Sequence, residues 1–396
     1  MSTTTDEFFA EQKEKSKVKS LIVSDFFSRY LPIITNSVGV NKTVYYIDLF
    51  AGPGYFNNGE KSTPILIMDI LDKYETSKIP DVRLILNDQN VGYYRKLSVS
   101  VIGHPAYGKL AVKPEIYNRS ASQIDLNRYI QKGVPVFSFI DPWGYVDVSY
   151  EQLWTLVKNV GSDNILFFNT NRISEDMGKS PSEKHMNNLF GMEFHNAQTI
   201  CTAGCHQKVK MEKLLVCFSK NLYQVAKEKS TKIDFFILPF SFESEQKELV
   251  SHYIIFITKN HRAISEMKKV MLKHNNSTNG KFGFDAKDVD KLTFFRREDD
   301  VSLLANAIIK DMFTNYRQLL DIAWDLESLL KAMDRYYMLH QYVVTPVALS
   351  ELKEIIQKLY EKGYIELTHT AGKKRFTNRV TNSGKFKMKT EVLEIL

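Results

Sequence analysis

The chain has 396 residues, 43% hydrophobic and 25% charged, which is the composition of a globular protein with about two to three domains. No apolar run approaches the roughly 18 residues of a membrane span, and the N-terminal MSTTTDEFFAEQKEKSK is too polar for a signal peptide. The net charge of +7 permits an acidic partner such as nucleic acid without requiring one. Cys201, Cys205 and Cys217 have no second pair of metal ligands nearby in sequence. We therefore expect reduced structural thiols, no metal, no membrane and a cytoplasmic location.

Strand-like segments alternate with helical ones along most of the chain. Helical spacing covers 15–36, a proline opens a helix over 64–75, and a further helix is predicted over 150–160. The predicted strands, in chain order, are 44–50, 82–88, 113–120, 135–141, 164–171, 234–240 and 252–260. Their nearly continuous apolar runs are typical of a parallel sheet covered by helices on both faces, and the close spacing of the last two predicts an antiparallel edge pair. The predicted fold class is α/β, with a doubly wound, mostly parallel sheet that binds ligands at the carboxyl ends of its strands.

The first strand runs into a glycine turn, VYYIDLFAGPGYF, at 44–56. Gly52 and Gly54 allow a sharp turn and a close approach of the backbone to a ligand. Asp48 can hold a polar or cationic group, and Asp88, at the end of the second strand, is placed to accept the hydroxyls of a ribose. Asn57 breaks the dinucleotide pattern, and the phosphate-loop pattern is also absent. The turn therefore favours a nucleoside cofactor without a pyrophosphate, such as S-adenosylmethionine (SAM); the alternative is a purely structural turn.

The fourth strand ends in FSFIDPWGY at 137–145. Asp141, followed by Pro142, presents a carboxylate and a backbone carbonyl that can accept the N–H groups of an exocyclic amine. Trp143 and Tyr145 offer flat faces on which a flipped-out base can stack. The alternative is an Asp-Pro turn whose aromatic residues pack into the core.

These motifs resemble those of class I SAM-dependent methyltransferases and, more narrowly, those of the three-Cys-motif partner family of bacterial proteins. The resemblance covers roughly 15–290 and rests on the stretch from Tyr46 to Gly54, on Asp141-Pro142-Trp143-Gly144, and on the strand at 253–258; the family's Ser-Pro pair is spread here over 62–64. It implies a fold of the class I methyltransferase type with SAM as cofactor. The family is named for a genomic neighbour, which implies a protein partner encoded nearby but states no activity.

The resemblance also implies roles for particular residues. The cofactor would be bound by Asp48, Phe50, Ala51, Gly52, Gly54, Asp88 and Ser120, and the catalytic element would be Asp141, Pro142 and Trp143. A weaker resemblance to a bacterial ribosomal-RNA adenine methyltransferase implies an exocyclic amine in RNA or DNA as acceptor. Trp143-Gly144 departs from that enzyme's Pro-Tyr, and an Asp-Pro-Phe-Gly element occurs in transfer-RNA guanine methyltransferases, so the base stays open. Many relatives carry an aspartate near position 120. Ser120, Ser122 or Asp125 are the candidates to replace it; the alternative is a weak affinity for SAM.

Two domains are predicted. The first covers 1–300 and includes a polar insertion or lid at about 172–200, because this stretch lacks strong periodicity. Asn169, Asn171 and Arg172, just before it, either face the site or cap the loop.

The second domain covers 301–396 and is predicted to be helical, with a winged-helix-like end. A helix within 349–367 stops at Gly363 and leads into a hairpin over 368–387 that contains basic residues and no acidic one. The candidates for nucleic-acid contacts in this hairpin are Lys373, Lys374, Arg375 and Arg379, with Phe376 beneath them or stacked on a base. The alternative is a solvated hairpin that caps the domain.

Three functions of different classes follow from these patterns. The first is a SAM-dependent methyltransferase that acts on an exocyclic amine in RNA or DNA. The second is a non-catalytic nucleic-acid-binding protein that retains the methyltransferase fold. The third is a methyltransferase of a small molecule or a protein, in which the basic hairpin serves oligomerisation.

Overall fold

A computed structural model describes residues 14–38, 43–75, 80–204, 206–230, 234–243, 250–277, 280–284, 294–368 and 380–395. The strands are β1 (Val44–Asp48), β2 (Val82–Asn87), β3 (Glu115–Tyr117), β4 (Val136–Ile140), β5 (Asp163–Phe168), β6 (Phe236–Glu243), β7 (Val250–Thr258), β8 (Gly283–Phe284), β9 (Ile365–Thr368) and β10 (Lys385–Met388). The helices are α1 (Glu14–Val38), α2 (Thr63–Asp72), α3 (Val91–Ile102), α4 (Pro105–Lys109), α5 (Tyr150–Val157), α6 (Thr170–Asp176), α7 (Glu183–Phe190), α8 (Phe194–Thr202), α9 (Gln207–Lys229), α10 (His261–Lys273), α11 (Phe294–Asn315), α12 (Leu326–Gln341), α13 (Leu349–Glu361) and α14 (Val392–Ile395).

Strands β1 to β8 form one sheet in the order β3-β2-β1-β4-β5-β7-β6-β8. Strands β1 to β5 are parallel, whereas β7 runs antiparallel to both of its neighbours, β5 and β6. Every residue of β1 and β4 is buried, because helices cover both faces of the sheet centre. The predicted doubly wound, mostly parallel sheet with an antiparallel pair is confirmed. The order of the strands reverses between β1 and β4, which makes the carboxyl ends of these two strands the expected ligand crevice.

Helix α1 is anchored to the sheet centre by aromatic packing. Phe26, Phe27 and Tyr30 surround Phe137 of β4 with ring centroids 5.4–5.7 Å away. Such contacts stabilise a core beyond simple apolar burial. They anchor the middle of α1 near the start of β4, and the amino-terminal half of the helix reaches Asp141 at the carboxyl end of this strand through Lys19.

The segment predicted as a polar insertion forms helices α6 to α8 and packs partly into the core. Met186, Leu189 and Phe190 are buried on one face of α7, at the spacing of an amphipathic helix. Phe190 lies 6.4 Å from the ring of Phe168 at the end of β5. The short helix explains why its periodicity is weak in the sequence. A lid role for this segment stays a prediction.

The C-terminal helices form a second hydrophobic cluster that includes Leu329, Met333 and Ile356. The prediction that this region is helical is confirmed by α11, α12 and α13, and Gly363, with φ +81°, follows the end of α13 as expected. Strands β9 and β10 pair antiparallel, and Trp324 exchanges two backbone hydrogen bonds of 2.8 Å with Phe386 on the other edge of β10. The predicted domain boundary at 300/301 falls within α11.

A buried ion cluster joins this C-terminal domain to the sheet domain. The carboxylate of Asp334 in α12 lies 2.8 and 2.9 Å from the ammonium of Lys268 and 2.9 Å from the ring of His261, both in α10. Nearby, the Val344 N–H donates to the Ile237 carbonyl at 2.8 Å, close to the amino-terminal end of β6. The junction is therefore at the edge of the sheet opposite the crevice. Among the described helices, none combines the length and apolarity that crossing a bilayer requires.

Candidate active site

Three aspartates meet at the crevice edge of the sheet. Asp48 ends β1, Asp88 follows β2, and Asp141 follows β4. Because β1 pairs in parallel with both β2 and β4, the carboxyl ends of the three strands lie side by side. The sequence motifs that contain these aspartates are therefore brought together at the switch point of the sheet, where open α/β sheets bind ligands.

Asp48 is buried with no cation beside it among the described residues. Its side chain is 1% exposed and accepts hydrogen bonds from the Phe50 N–H at 3.1 Å and the Tyr46 hydroxyl at 3.2 Å. Burial raises the pKa of Asp48 to about 8, and although the hydrogen bond from Phe50 opposes this rise, the charges of Asp141 and Asp88 add to it. A cation that enters the crevice would be attracted here and would favour ionisation of Asp48.

Asp88 ties the glycine turn to the second strand. Its carboxylate accepts the Gly52 N–H at 2.9 Å and the Asn90 N–H at 2.8 Å, and Gly52 adopts a φ of +65°. Burial raises the pKa of Asp88, while these backbone hydrogen bonds oppose the rise. Each carboxylate oxygen retains a further lone pair, so two hydroxyl donors can still be accepted.

The other residues of the glycine turn are positioned by the protein itself. Gly54 has φ +84°, and a Cβ there would lie 3.0 Å from the Cβ of Ser100 in α3, so this glycine is required for packing against a helix. Phe50 is half-buried, and buried Ala51 donates its N–H to the Asn87 carbonyl at 2.9 Å.

Asn87 is a structural residue that the sequence interpretation missed. Its side-chain amide donates to the carbonyls of Leu49 at 2.9 Å and Arg119 at 3.0 Å, and it accepts the Arg119 N–H at 3.1 Å. Asn87 therefore joins the chain segments that follow β1, β2 and β3. A buried amide at the end of an apolar strand is the signal that could have identified it.

Asp141 forms an ion pair with Lys19 of α1, a residue that was also missed. The Lys19 ammonium lies 4.5 Å from the centroid of the Phe167 ring, and its side chain is only 10% exposed. A lysine this deeply buried needs a charged partner, and here the partner is the predicted catalytic carboxylate. Lys19 lies on the same helical stripe as Ile22 and Val23, so a cation within an apolar stripe was the available signal.

His252 of β7 lies beside this pair. Its ring stacks on Phe242 with centroids 4.5 Å apart and lies 4.7 Å from the ring of Phe167. Burial lowers the pKa of His252 well below its usual value, and the positive charges of Lys19 and Lys15 lower it further. The imidazole is therefore neutral near pH 7.

The aromatic residues after Asp141 differ from one another. Trp143 is 42% exposed at the crevice rim, as a stacking surface requires, and Pro142 is buried. The stacking role predicted for Tyr145 is wrong: its ring is 2% exposed, and its hydroxyl accepts the Asn169 N–H at 2.5 Å. Tyr145 is drawn into the core because its hydroxyl finds a backbone partner there.

Asn169 serves as a cap, which was the simpler of its two interpretations. Its side chain accepts the Arg172 N–H at 3.1 Å at the start of α6.

Ser120 is paired with a carboxylate that follows β4. Its hydroxyl donates to Asp147 Oδ1 at 2.7 Å and lies 2.8 Å from the hydroxyl of Ser122. Asp125 instead accepts the Asn127 N–H at 3.1 Å within its own turn. The aspartate nearest to Ser120 is therefore Asp147, which is distant in sequence and was not anticipated.

The basic hairpin is described only at its stem, β9 and β10. The residues predicted to contact nucleic acid there lie outside the described residues: Lys373, Lys374, Arg375, Arg379 and, with them, Phe376.

Cys201 and Cys217 are free thiols, and Cys205 lies outside the described residues. In the described part of the chain, no group of three or more histidine, cysteine, aspartate or glutamate side chains is arranged so that it could hold a metal ion.

Comparisons with known proteins show distant structural likenesses. No family model matches the chain, and no curated protein matches it. One similar solved structure is protein LPL1258 from Legionella pneumophila, with 12% identity, a TM-score of 0.37 and coverage of 64% of this chain and 90% of that one. Another, from Streptococcus mutans, is described as a methyltransferase in complex with SAH, with 10% identity, a TM-score of 0.29 and coverage of 60% and 95%.

A third similar structure, from Methanococcus maripaludis, is described as a SAM-dependent methyltransferase, with 14% identity, a TM-score of 0.28 and coverage of 66% of this chain and 97% of that one. The resemblance to the three-Cys-motif partner family stays a prediction.

Proposed function

We propose that this protein is a SAM-dependent methyltransferase that acts on an exocyclic amine of a base in RNA or DNA. The observation that carries the proposal is the meeting of Asp48, Asp88 and Asp141 around a glycine turn at the switch point of the sheet. The three residues differ in environment, which suits them to three different tasks.

The chemistry of the crevice fits SAM. This cofactor supplies a methyl group on a positively charged sulfur, and it also carries an ammonium group and a ribose. Asp88 is fixed by Gly52 and Asn90 in an orientation that leaves lone pairs for the ribose hydroxyls. Burial raises the pKa of Asp48, as expected for a carboxyl whose cationic partner is supplied by a ligand.

Asp141 would bind the amine that receives the methyl group. An exocyclic amine is a weak nucleophile because its lone pair is delocalised into the ring. Accepting its N–H groups at the Asp141 carboxylate would favour a more tetrahedral nitrogen and stabilise the positive charge that develops on it. The Lys19 ammonium must then share this carboxylate or move aside as the amine enters. Exposed Trp143 supplies the aromatic face for the base.

The sequence of the C-terminal domain supports a polymer as acceptor. Its predicted hairpin over 368–387 contains basic residues and no acidic one, as a surface for a phosphate backbone requires.

A second candidate function is favoured by one observation. The Lys19 ammonium is already ion-paired with the Asp141 carboxylate. This pairing is expected of a non-catalytic nucleic-acid-binding protein that retains the methyltransferase fold. In that case the ion pair would be permanent, and no methyl transfer would occur.

Calorimetric titration with SAM and radiolabelled methyl transfer to total RNA and to DNA test the proposal. We expect the parent protein to bind SAM and to label one polymer. Gly52→Leu should lose SAM binding while the fold, measured by circular dichroism, survives, because a side chain would enter a turn held at φ +65°. SAM binding without transfer to either polymer would favour a small-molecule or protein acceptor. Absence of SAM binding by the parent would refute the proposal and leave the non-catalytic function.

A further inference from the structure

A groove of about 490 Å³ lies beside the crevice and has a distinctive lining. Its walls come from the 3-10 turns after β3, the loop between β4 and α5, and helices α5 and α7. Its polar side chains include Ser122, Asp125, Asp147, Gln152 and Asn188, and the exposed Val146 supplies apolar surface. The volume is within the range of small-molecule sites.

None of the described residues that line the groove is a lysine, arginine or histidine. A phosphate or carboxylate ligand would therefore meet two carboxylates and no compensating cation, which disfavours anions. Carboxylates accept hydrogen bonds, and side-chain amides both donate and accept. This combination suits a neutral ligand that carries amine, carbonyl and hydroxyl groups.

Gln152 and Asn188 are the groups best placed to recognise such a ligand. Their side-chain amides make no hydrogen bond with the described part of the chain, whereas Asp147 and Ser122 are joined to Ser120. Gln152 is half-buried and Asn188 is exposed at the mouth of the groove. An amide without a protein partner is available to hydrogen-bond a ligand, whereas one that is already engaged must first give up its partner.

The groove is distinct from most of the residues assigned to the cofactor. Asp88, Ser120 and the glycine turn do not line it, whereas Ser122 and Asp125, the two alternatives to Ser120, do. Ser120 is joined to the groove by its hydrogen bond to Asp147. Asp147 belongs to the same loop as Asp141 and Trp143, so the groove adjoins the acceptor side of the site.

We infer that this groove binds a nucleoside of the acceptor, recognised through the amides of Gln152 and Asn188 and the carboxylate of Asp147. The inference rests on the proposed function, because it assigns the groove to the substrate of that reaction. It adds a specificity site that the Asp141 motif does not contain. A nucleoside is neutral, carries amine, carbonyl and hydroxyl groups, and presents a flat apolar face to Val146.

Ligand-observed saturation-transfer NMR with adenosine, guanosine and cytidine tests the inference, each with and without saturating SAH. We expect at least one nucleoside to bind in the presence of SAH. The double variant Gln152→Leu/Asn188→Leu should weaken this binding by about tenfold, the effect of losing two side-chain hydrogen bonds, and leave SAH affinity unchanged.

The matched control is Gln207→Leu/Gln341→Leu. Gln207 is half-buried like Gln152, Gln341 is exposed like Asn188, and neither lines the groove. This control should bind the nucleoside as the parent does.

Three results would overturn the inference: no nucleoside binds, SAH displaces the nucleoside, or the groove variant binds it like the control. Displacement by SAH would assign the groove to the cofactor's own adenosine. Failure of the proposed function is distinguishable, because it appears as loss of SAH binding by the parent, while the titrations without SAH still report on the groove.

Discussion

Two buried carboxyls, Asp334 at the domain junction and Asp48 in the crevice, show how differently one fold treats the same group. Burial raises the pKa of Asp334, but Lys268 and His261 hold it below its usual value. The N–H and hydroxyl of Thr345 complete the partners at 3.0 and 2.8 Å. Among the described residues, the hydrogen-bond partners of Asp48 are one backbone N–H and one tyrosine hydroxyl, and burial raises the pKa of Asp48 to about 8.

The difference separates a structural charge from a functional one. Asp334 is satisfied within the protein, so its cluster joins two domains and needs no ligand. Asp48 has no described cation, so its site is completed only when a positively charged ligand enters. Asp141 is intermediate, because its cation, Lys19, comes from a helix at the rim of the crevice.

The largest effect is expected at the satisfied charge. Asp334→Ala leaves the Lys268 ammonium buried without its carboxylate, and we expect the free energy of unfolding to fall by about 3–5 kcal/mol in urea titration. The control Asp234→Ala removes a partly exposed pair with Arg335 and should cost less than about 1 kcal/mol. Similar losses in the two variants would contradict the contrast between buried and exposed pairs.

The carboxyl of Asp48, which lacks a described cationic partner, should make the stability of the protein depend on pH. The pKa of Asp48 rises from 3.8 to about 8 on folding, so the folded state binds more protons than the unfolded chain in this range, and stability contributed by this group falls as pH rises. The slope for one proton is at most about 1.4 kcal/mol per pH unit. Asp48→Asn should therefore unfold at a higher temperature than the parent at pH 8.5 and lose SAM binding.

At pH 5 the advantage of Asp48→Asn should shrink, because the parent carboxyl is then protonated too. Asp48→Asn also removes the repulsion between Asp48 and the carboxylates of Asp141 and Asp88. The difference in unfolding temperature therefore includes the effect on these two neighbours. A gain in unfolding temperature that does not depend on pH would exclude Asp48 as its source.

Asp141→Asn should affect chemistry more than binding. The amide keeps the shape but can present a donor where the amine needs an acceptor, so we expect turnover to fall by at least about a hundredfold. SAM affinity should change little, because Asp48, Asp88 and the glycine turn are intact. Asp176→Asn, which removes a pair with Lys179 on the exposed surface, is the control and should retain parental turnover. Parental turnover in Asp141→Asn would remove Asp141 from the mechanism.

The smallest effect is expected at the basic residues of the predicted hairpin. Reversing Lys373, Lys374 and Arg375 to glutamate should weaken nucleic-acid binding and reduce the slope of log K against log salt by about 2–3, depending on whether the polymer is single- or double-stranded. SAM affinity should not change. The control reverses the exposed Lys96, Lys132 and Lys158 to glutamate. This control should retain most of the parental slope of log K against log salt. Equal slopes in the two triple variants would show that the hairpin does not contact the phosphates of the nucleic acid.

The sequence alone determined the sheet and the position of its crevice. Apolar strand runs and helical periodicity depend on neighbours only a few residues away, and therefore they identified β1 to β7 and the ends that contain Asp48, Asp88 and Asp141. The glycine turn was equally readable, because a positive φ restricts residue type locally. The helix α7 was missed because two turns give too few repeats to establish a period.

Only the tertiary structure decided how these groups are completed. Lys19 reaches Asp141 across 122 positions of sequence, and Ser120 reaches Asp147 across 27. The sequence predicted that Tyr145 is available for stacking. In the structure its hydroxyl instead accepts the backbone N–H of Asn169, and its ring is buried. Such pairings depend on which loops the sheet brings side by side, and no local pattern encodes that, because hydrogen bonds and ion pairs require proximity in space rather than in sequence.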